Sequence, residues 1–246
     1  MELTERKLKI LQAIVSDFIL TAEPVGSRTL SRKYDMGISP ATIRNEMADL
    51  EEMGFLTHPH TSAGRVPSDK AYRLYVNRLM EKYELQEDDK AKIRKAIESN
   101  ITELKNTIRH ASELLSELTN LTSFATLEDM HRCELFLEGM TRIFSHPEFN
   151  SVNRARDFLE MVDRKDNLTE TIAKRDDGIT ITIGDENSPN IMGGSSIITA
   201  TYHIDGNFVG KLGVIGPTRM RYGEIMSVID YMTQNLDRAY KLTKGE

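Results

Sequence analysis

The chain has 246 residues, 28% of them charged, and a single cysteine, Cys133, so an internal disulfide is excluded and two folding units are affordable in length. No apolar run approaches the roughly 18 residues that cross a bilayer, and the start MELTERKLKI lacks an apolar signal core, so a cytoplasmic protein is expected. The net charge of −6 argues at first against a polyanionic partner, but residues 1–80 hold eleven Lys or Arg against ten Asp or Glu, and the acidity lies beyond them.

In chain order, residues 4–21 read as an amphipathic helix with Leu8, Leu11, Ile14, Val15 and Phe18 on one side, broken by Pro24 and Gly26. Ser27 is expected to cap a short helix over 28–34, which ends before the turn at Asp35-Met36-Gly37. Ser39 before Pro40 is a strong helix start, and Gly54 closes that third helix after about Met53. Phe55 and Leu56, a polar loop with Pro59 and Gly64, then Val66 suggest a short β-hairpin. Ser68 and Asp69 start a further helix through about Lys82.

From Asp88 to Leu121 a long helical stretch carries Ile97, Ile101, Leu104, Ile108, Ala111, Leu115 and Leu118 at alternating spacings of four and three, a heptad seam. The seam either joins two subunits or packs on the C-terminal part; the spacing favours a homodimer, with Ile97, Ile101, Leu104, Ile108, Leu115 and Leu118 as its interface. Residues 132–175 read as irregular helix interrupted at His146-Pro147. Strands follow at 179–183, 197–204 and 208–215, the last two joined by a turn at Asp205-Gly206-Asn207, and a helix from about Arg221 to Leu242 ends the chain. The expected class is α+β: a winged helix-turn-helix over 1–82, a long heptad-patterned helix over 83–122 and a C-terminal α/β part over 123–246.

The third helix carries the functional signal. At 100° per residue Ile43, Met47 and Leu50 share one stripe, while Ala41, Arg44, Asn45 and Ala48 fall on the opposite arc. A face entering a DNA groove needs that mixture, because Arg can pair with guanine, Asn with adenine, and alanines permit close approach. Glu46, Asp49, Glu51 and Glu52 lie towards the end that tilts away from DNA in such docking. Residues 24–45 hold Arg28, Arg32, Lys33 and Arg44 against Asp35 alone. Patterning by itself also admits a helical domain with scattered charges, or a winged helix used for protein contacts.

The runs PVGSRTL at 24–30 and SPATIRNEMADLEEMGFLTHPHTSAGRVPSDKAYRLYV at 39–76 closely resemble the HrcA family, the bacterial heat-inducible transcription repressors. ELFLEGMTRIFSHPEF at 134–149, VIGPTRM at 214–220 and YGEIMSVIDYM at 222–232 resemble later parts of the same family. The resemblance implies a dimeric, sequence-specific repressor that binds an inverted-repeat operator in double-stranded DNA before chaperone operons. It also implies relief by heat and the chaperonin as a folding partner. Carried over by position, it gives Ser39, Thr42, Arg44 and Asn45 as recognition-helix contacts, Arg28, Thr29 and Arg32 as phosphate contacts, and His60, Thr61 and Arg65 as wing contacts. It implies a C-terminal GAF-like regulatory and dimerisation domain in reduced form, since Thr122–Thr126 passes within about ten residues to the ELFLEGM segment. Such a domain is expected to have a small core and an open sheet edge, with the strands at 179–183 and 197–204 free to mispair.

Other signals point elsewhere only weakly. His58-x-His60 and His131-x-Cys133 match no closed zinc spacing. Gly210, Gly213 and Gly216 follow no dinucleotide pattern and read as sheet packing and a turn. Gly193-Gly194 could cradle an anion, or simply be a loop before a strand. No catalytic constellation is visible, so neither an enzyme nor a cofactor is expected. The competing functions are a ligand-sensing regulator with a small-molecule-binding GAF-like domain and an interaction protein without DNA affinity.

Overall fold

Thr4 starts the first helix by accepting a hydrogen bond from the Lys7 N–H at 3.3 Å, and α1 (Glu5–Thr21) runs until Ala22 turns left-handed at φ 58°. The computed structural model describes residues 3–34, 36–60, 63–98, 104–128, 133–187, 193–204 and 208–243. They form two compact units: Met1–Lys82 with Thr218–Tyr222, and Tyr83–Pro217 with Gly223–Glu246.

In the first unit α1 buries Ile10, Leu11, Ile14 and Val15, each no more than 1% exposed. Helix α2 (Ser27–Lys33) begins one residue before the expected start: Gly26 is the cap residue, no side chain caps it, and Ser27 is buried in the first turn. Helix α3 (Pro40–Glu52) is capped by Ser39 and followed by Gly54 at φ 77°, a backbone state that glycine adopts without strain. Strands β1 (Leu56–Thr57) and β2 (Val66–Pro67) pair antiparallel, with Leu56 opposite Pro67. Helix α4 (Asp69–Leu74) is capped by Ser68, whose hydroxyl also donates to the Gly54 carbonyl at 2.7 Å, pinning the ribbon to the end of α3. It passes into a π-helical turn, Tyr75–Leu79, and stops there, short of Lys82.

The five residues 218–222 complete this unit from the far end of the chain. Met220 and Tyr222 are 2% and 1% exposed, the Tyr222 ring lies 6.3 Å from that of Tyr72, and Arg219 donates to the Ile19 carbonyl at 3.1 Å.

In the second unit the expected single helix is two. Helices α5 (Glu87–Glu98) and α6 (Leu104–Thr119) pack against each other, which two halves of one straight helix could not do. Strands β3 (Thr122–Glu128), β4 (Cys133–Glu138), β5 (Ile179–Ile183), β6 (Ser195–Ile204) and β7 (Phe208–Pro217) form one antiparallel sheet in the order β4-β3-β7-β6-β5. Residues 133–138, read as irregular helix, are thus a strand: in Cys-Glu-Leu-Phe-Leu-Glu the short apolar run carries no period, and pairing with β3 decides it. The strand at 197–204 is interior, held by β5 and β7, so of the two strands expected to mispair only the one at 179–183 is an edge.

Helix α6 crosses β3, β4 and β7, where Ser112 and Ser123 hydroxyls meet at 2.9 Å. Helices α7 (Val152–Asp163) and α8 (Lys165–Ala173) bring Phe158, Met161, Val162, Leu168 and Ile172 into the core that holds Phe124, Ile197 and Ile215. Helix α9 (Tyr222–Thr243) ends the described chain. Gly210 and Gly213 of β7 are steric necessities: a Cβ on Gly210 would stand 2.3 Å from the Tyr202 ring, and one on Gly213 would stand 2.2 Å from the Ile198 carbonyl and 2.5 Å from the Phe124 ring.

This packing corrects the dimer seam. Ile97, Ile108 and Leu115 are 1%, 0% and 0% exposed within one chain, so these side chains have no surface left for a second one. Leu104 and Leu118 are half-buried, and Ile101 lies outside the described residues. Burying a helix stripe on a sheet produces the same four-three spacing as a coiled coil.

Candidate nucleic-acid interface

The candidate interface is built on α3. Ile43, Met47 and Leu50 are 0%, 4% and 0% exposed, while Ala41, Arg44, Asn45 and Ala48 are all exposed, so the helix turns outward the arc that its sequence separates. Ser39 Oγ accepts from the Thr42 N–H at 3.1 Å and stands 3.0 Å from the Thr42 hydroxyl. Ser39→Ala should therefore cost about 1 kcal/mol of stability in this unit, read as a lowered midpoint of chemical unfolding.

Leu30 is fully buried and orients α2 so that Arg28, Thr29 and Arg32 are exposed. Lys33 reaches back to the nearly buried Asp17 carboxylate, and that hydrogen bond raises the pKa of its ammonium. His60 is exposed on the ribbon loop; Thr61 lies outside the described residues. Arg65 sits at the root of the ribbon, where its backbone exchanges two hydrogen bonds of 2.9 Å with Val25. Gly64 permits that approach, because a Cβ there would lie 2.7 Å from the backbone of Pro24 and Val25.

These elements enclose a cleft of about 570 Å³ lined by Val25, Gly26, Ser27, Arg28, Arg44, Met47, Ala63, Gly64 and Arg65. Three of the arginines singled out in the sequence thus meet at one concavity. Arg32, Ser39, Thr42, Asn45 and His60 do not line it. Arg65 Nε also lies 2.7 Å from Glu51 Oε2, and the other oxygen of Glu51 accepts from His58 Nδ1.

Two of the acids of α3, Glu46 and Asp49, are paired on its other flank by a residue that sequence reasoning passed over. Lys7 Nζ stands 2.8 Å from Glu46 and 2.9 Å from Asp49, and its hydrogen bonds, first to Glu46 and then to Asp49, raise its pKa. A lysine with a raised pKa contributes its tie below the ordinary value and loses it only as alkaline pH passes the folded value, so this pair persists at neutral pH. The signal was legible: Lys7 lies on the Leu11-Ile14-Phe18 stripe at helical spacing.

Among the described residues no three His, Cys, Asp or Glu side chains are grouped to hold a metal, and no helix is long and apolar enough to cross a membrane. Gly193 offers its carbonyl to Arg154 at 2.5 Å.

A helix-and-ribbon unit that turns an arginine-flanked helix face outward is thus carried in one chain with a sheet unit. The family description "HrcA protein C terminal domain" matches residues 70–226. The heat-inducible transcription repressor HrcA of Clostridioides difficile is 36% identical, with 97% of this chain and 100% of that one covered. That of Desulfitobacterium hafniense is 34% identical over 96% and 97%. The chain belongs to the HrcA family, the repressors of heat-shock genes. A crystal structure of a hypothetical protein shares the fold, with a TM-score of 0.77 at 17% identity, covering 98% of this chain and 100% of that one.

Proposed function

We propose that the protein represses chaperone operons by binding an inverted-repeat operator as a homodimer, and that heat relieves the repression. The first unit acts in this reading as a winged helix-turn-helix, residues 1–82 completed by 218–222, with β1 and β2 as the wing. Helix α3 enters the major groove N-terminus first, bringing Ser39, Thr42, Arg44 and Asn45 to the duplex. Arg28, Thr29 and Arg32 lie against the backbone, with His60, Thr61 and Arg65 on the wing side. The second unit is a reduced GAF-like regulatory domain, and the subunits meet on it through a surface other than the buried seam. The observation that carries the proposal is the exposed Ala41-Arg44-Asn45-Ala48 arc on a helix whose Glu46 and Asp49 are held on another flank by Lys7.

The resemblance to the family supports the chaperonin as the partner that returns the heated chain to its active fold. The test is a gel shift on an inverted repeat from a chaperone promoter, against a scrambled duplex and a single half-site, at several salt concentrations. Preference for the full repeat, loss of the shift after brief heating and recovery with chaperonin and ATP are expected. Equal binding to all three duplexes would defeat the operator reading, and full spontaneous recovery after heating would remove the chaperonin from it.

A further inference from the structure

The sequence reading makes Arg44 a recognition-helix contact suited to guanine and Arg65 a wing contact; the cleft points to a different division of labour. We infer that Arg28, Arg44 and Arg65 together seat one phosphate of the DNA backbone, that Glu51 holds Arg65 in reserve for it, and that base reading falls to Asn45. This refines the DNA-binding reading above and rests on it.

A guanidinium that reads a base edge must extend away from the protein into the groove. Arg44, exposed as it is, also lines a concavity with two other arginines, and among the described residues that line it none is acidic. Three cations around one cleft repel each other unless an anion enters, and the repulsion is strongest where the walls exclude water. Glu51 offsets part of this charge through Arg65 only, and it divides its carboxylate between Arg65 and His58. The cleft therefore carries an excess of positive charge and volume to spare for a tetrahedral anion. Guanidinium groups match phosphate oxygens in geometry as well as charge.

Arg65 is placed for this role by its backbone. The two 2.9 Å bonds to Val25 and the close contact at Gly64 fix the ribbon root beside Gly26 and Ser27, so its side chain can pass from Glu51 to a phosphate without a loop rearrangement. Asn45, one position on from Arg44, is exposed and does not line the cleft, which leaves its amide available to a base edge. An asparagine side chain pairs in bidentate fashion with adenine.

The test uses the full chain and two probes: a duplex selected from genomic DNA by the wild type, and a random duplex of equal length and composition. Arg44→Ala should weaken both by the same factor, about tenfold or more, and lower the slope of log affinity against log salt by about one. Asn45→Ala should weaken the selected duplex by about tenfold and leave the random one within about twofold. Glu51→Gln keeps the shape of the side chain and removes the competing charge, so it should tighten binding to both duplexes; a damaged fold could not produce that gain. Loss by Arg44→Ala on the selected duplex alone would return it to base reading and overturn the inference. Unchanged or weaker binding by Glu51→Gln would overturn the reserve role of that pair. A wild-type selection that enriches no duplex over random DNA, with no binding to the random duplex either, would overturn the DNA reading, and this assignment with it.

Discussion

Ile108→Asp should unfold the sheet-bearing unit and leave no soluble folded monomer to observe. Ile108 is fully buried on α6, which packs on α5 and on the sheet, so the substitution removes a buried side chain and places a carboxylate in the interior without a designed partner. The loss of packing alone costs about 2–5 kcal/mol, and desolvating an unpaired charge adds enough to exhaust much of the stability of a typical domain. Chemical unfolding followed by circular dichroism should show the second transition lost or shifted to low denaturant. A well-folded monomer in sedimentation would instead mean that Ile108 faces another subunit. If the seam joined two subunits, a folded monomer would be the product; burial in a single chain reverses the outcome.

Tyr222→Ala should weaken operator binding although Tyr222 lies 178 positions beyond Arg44 in the sequence. The ring is 1% exposed, packs at 6.3 Å from Tyr72, and its hydroxyl donates to the Thr218 carbonyl at 2.5 Å. Truncating a buried aromatic costs about 3–5 kcal/mol. Thermal melting with a fluorescent reporter near α3 should show the first unit destabilised, with DNA affinity falling in parallel. A fragment ending at Lys82 should suffer in the same way, because it lacks Met220 and Tyr222 as well. If that fragment is as stable as the unit in the full chain, the contribution of residues 218–222 is refuted.

Much of the candidate interface's local structure was legible in the sequence. Ser39-Pro40 announces a helix start by cap chemistry, and the 100° spacing of Ile43, Met47 and Leu50 sets which side is buried and therefore which side carries Arg44 and Asn45. Such local rules need only a few neighbouring residues to operate. The Ser27 cap failed for a related reason: Gly26 and Ser27 are adjacent candidates, and the burial of Ser27 by tertiary packing moved the boundary by one residue.

By itself, then, the sequence determined the order of elements in the first eighty residues, the outward face of α3, the β-rich C-terminal region and, through its motifs, the family. Tertiary structure alone decided the rest. Periodicity shows that a stripe is buried but not against what, so only packing could assign Ile97, Ile108 and Leu115 to the interior of one chain. A segment whose apolar run is only Leu135-Phe136-Leu137 has no length to separate strand from helix, so pairing with β3 made Cys133–Glu138 a strand. Residues distant in sequence meet only when the chain closes: Lys7 with Glu46 and Asp49, Tyr222 with Tyr72, Gly64 with Pro24 and Val25. The three-arginine cleft belongs to that second group, because no local rule brings positions 28, 44 and 65 to one surface; the ribbon root crossing to Val25 does.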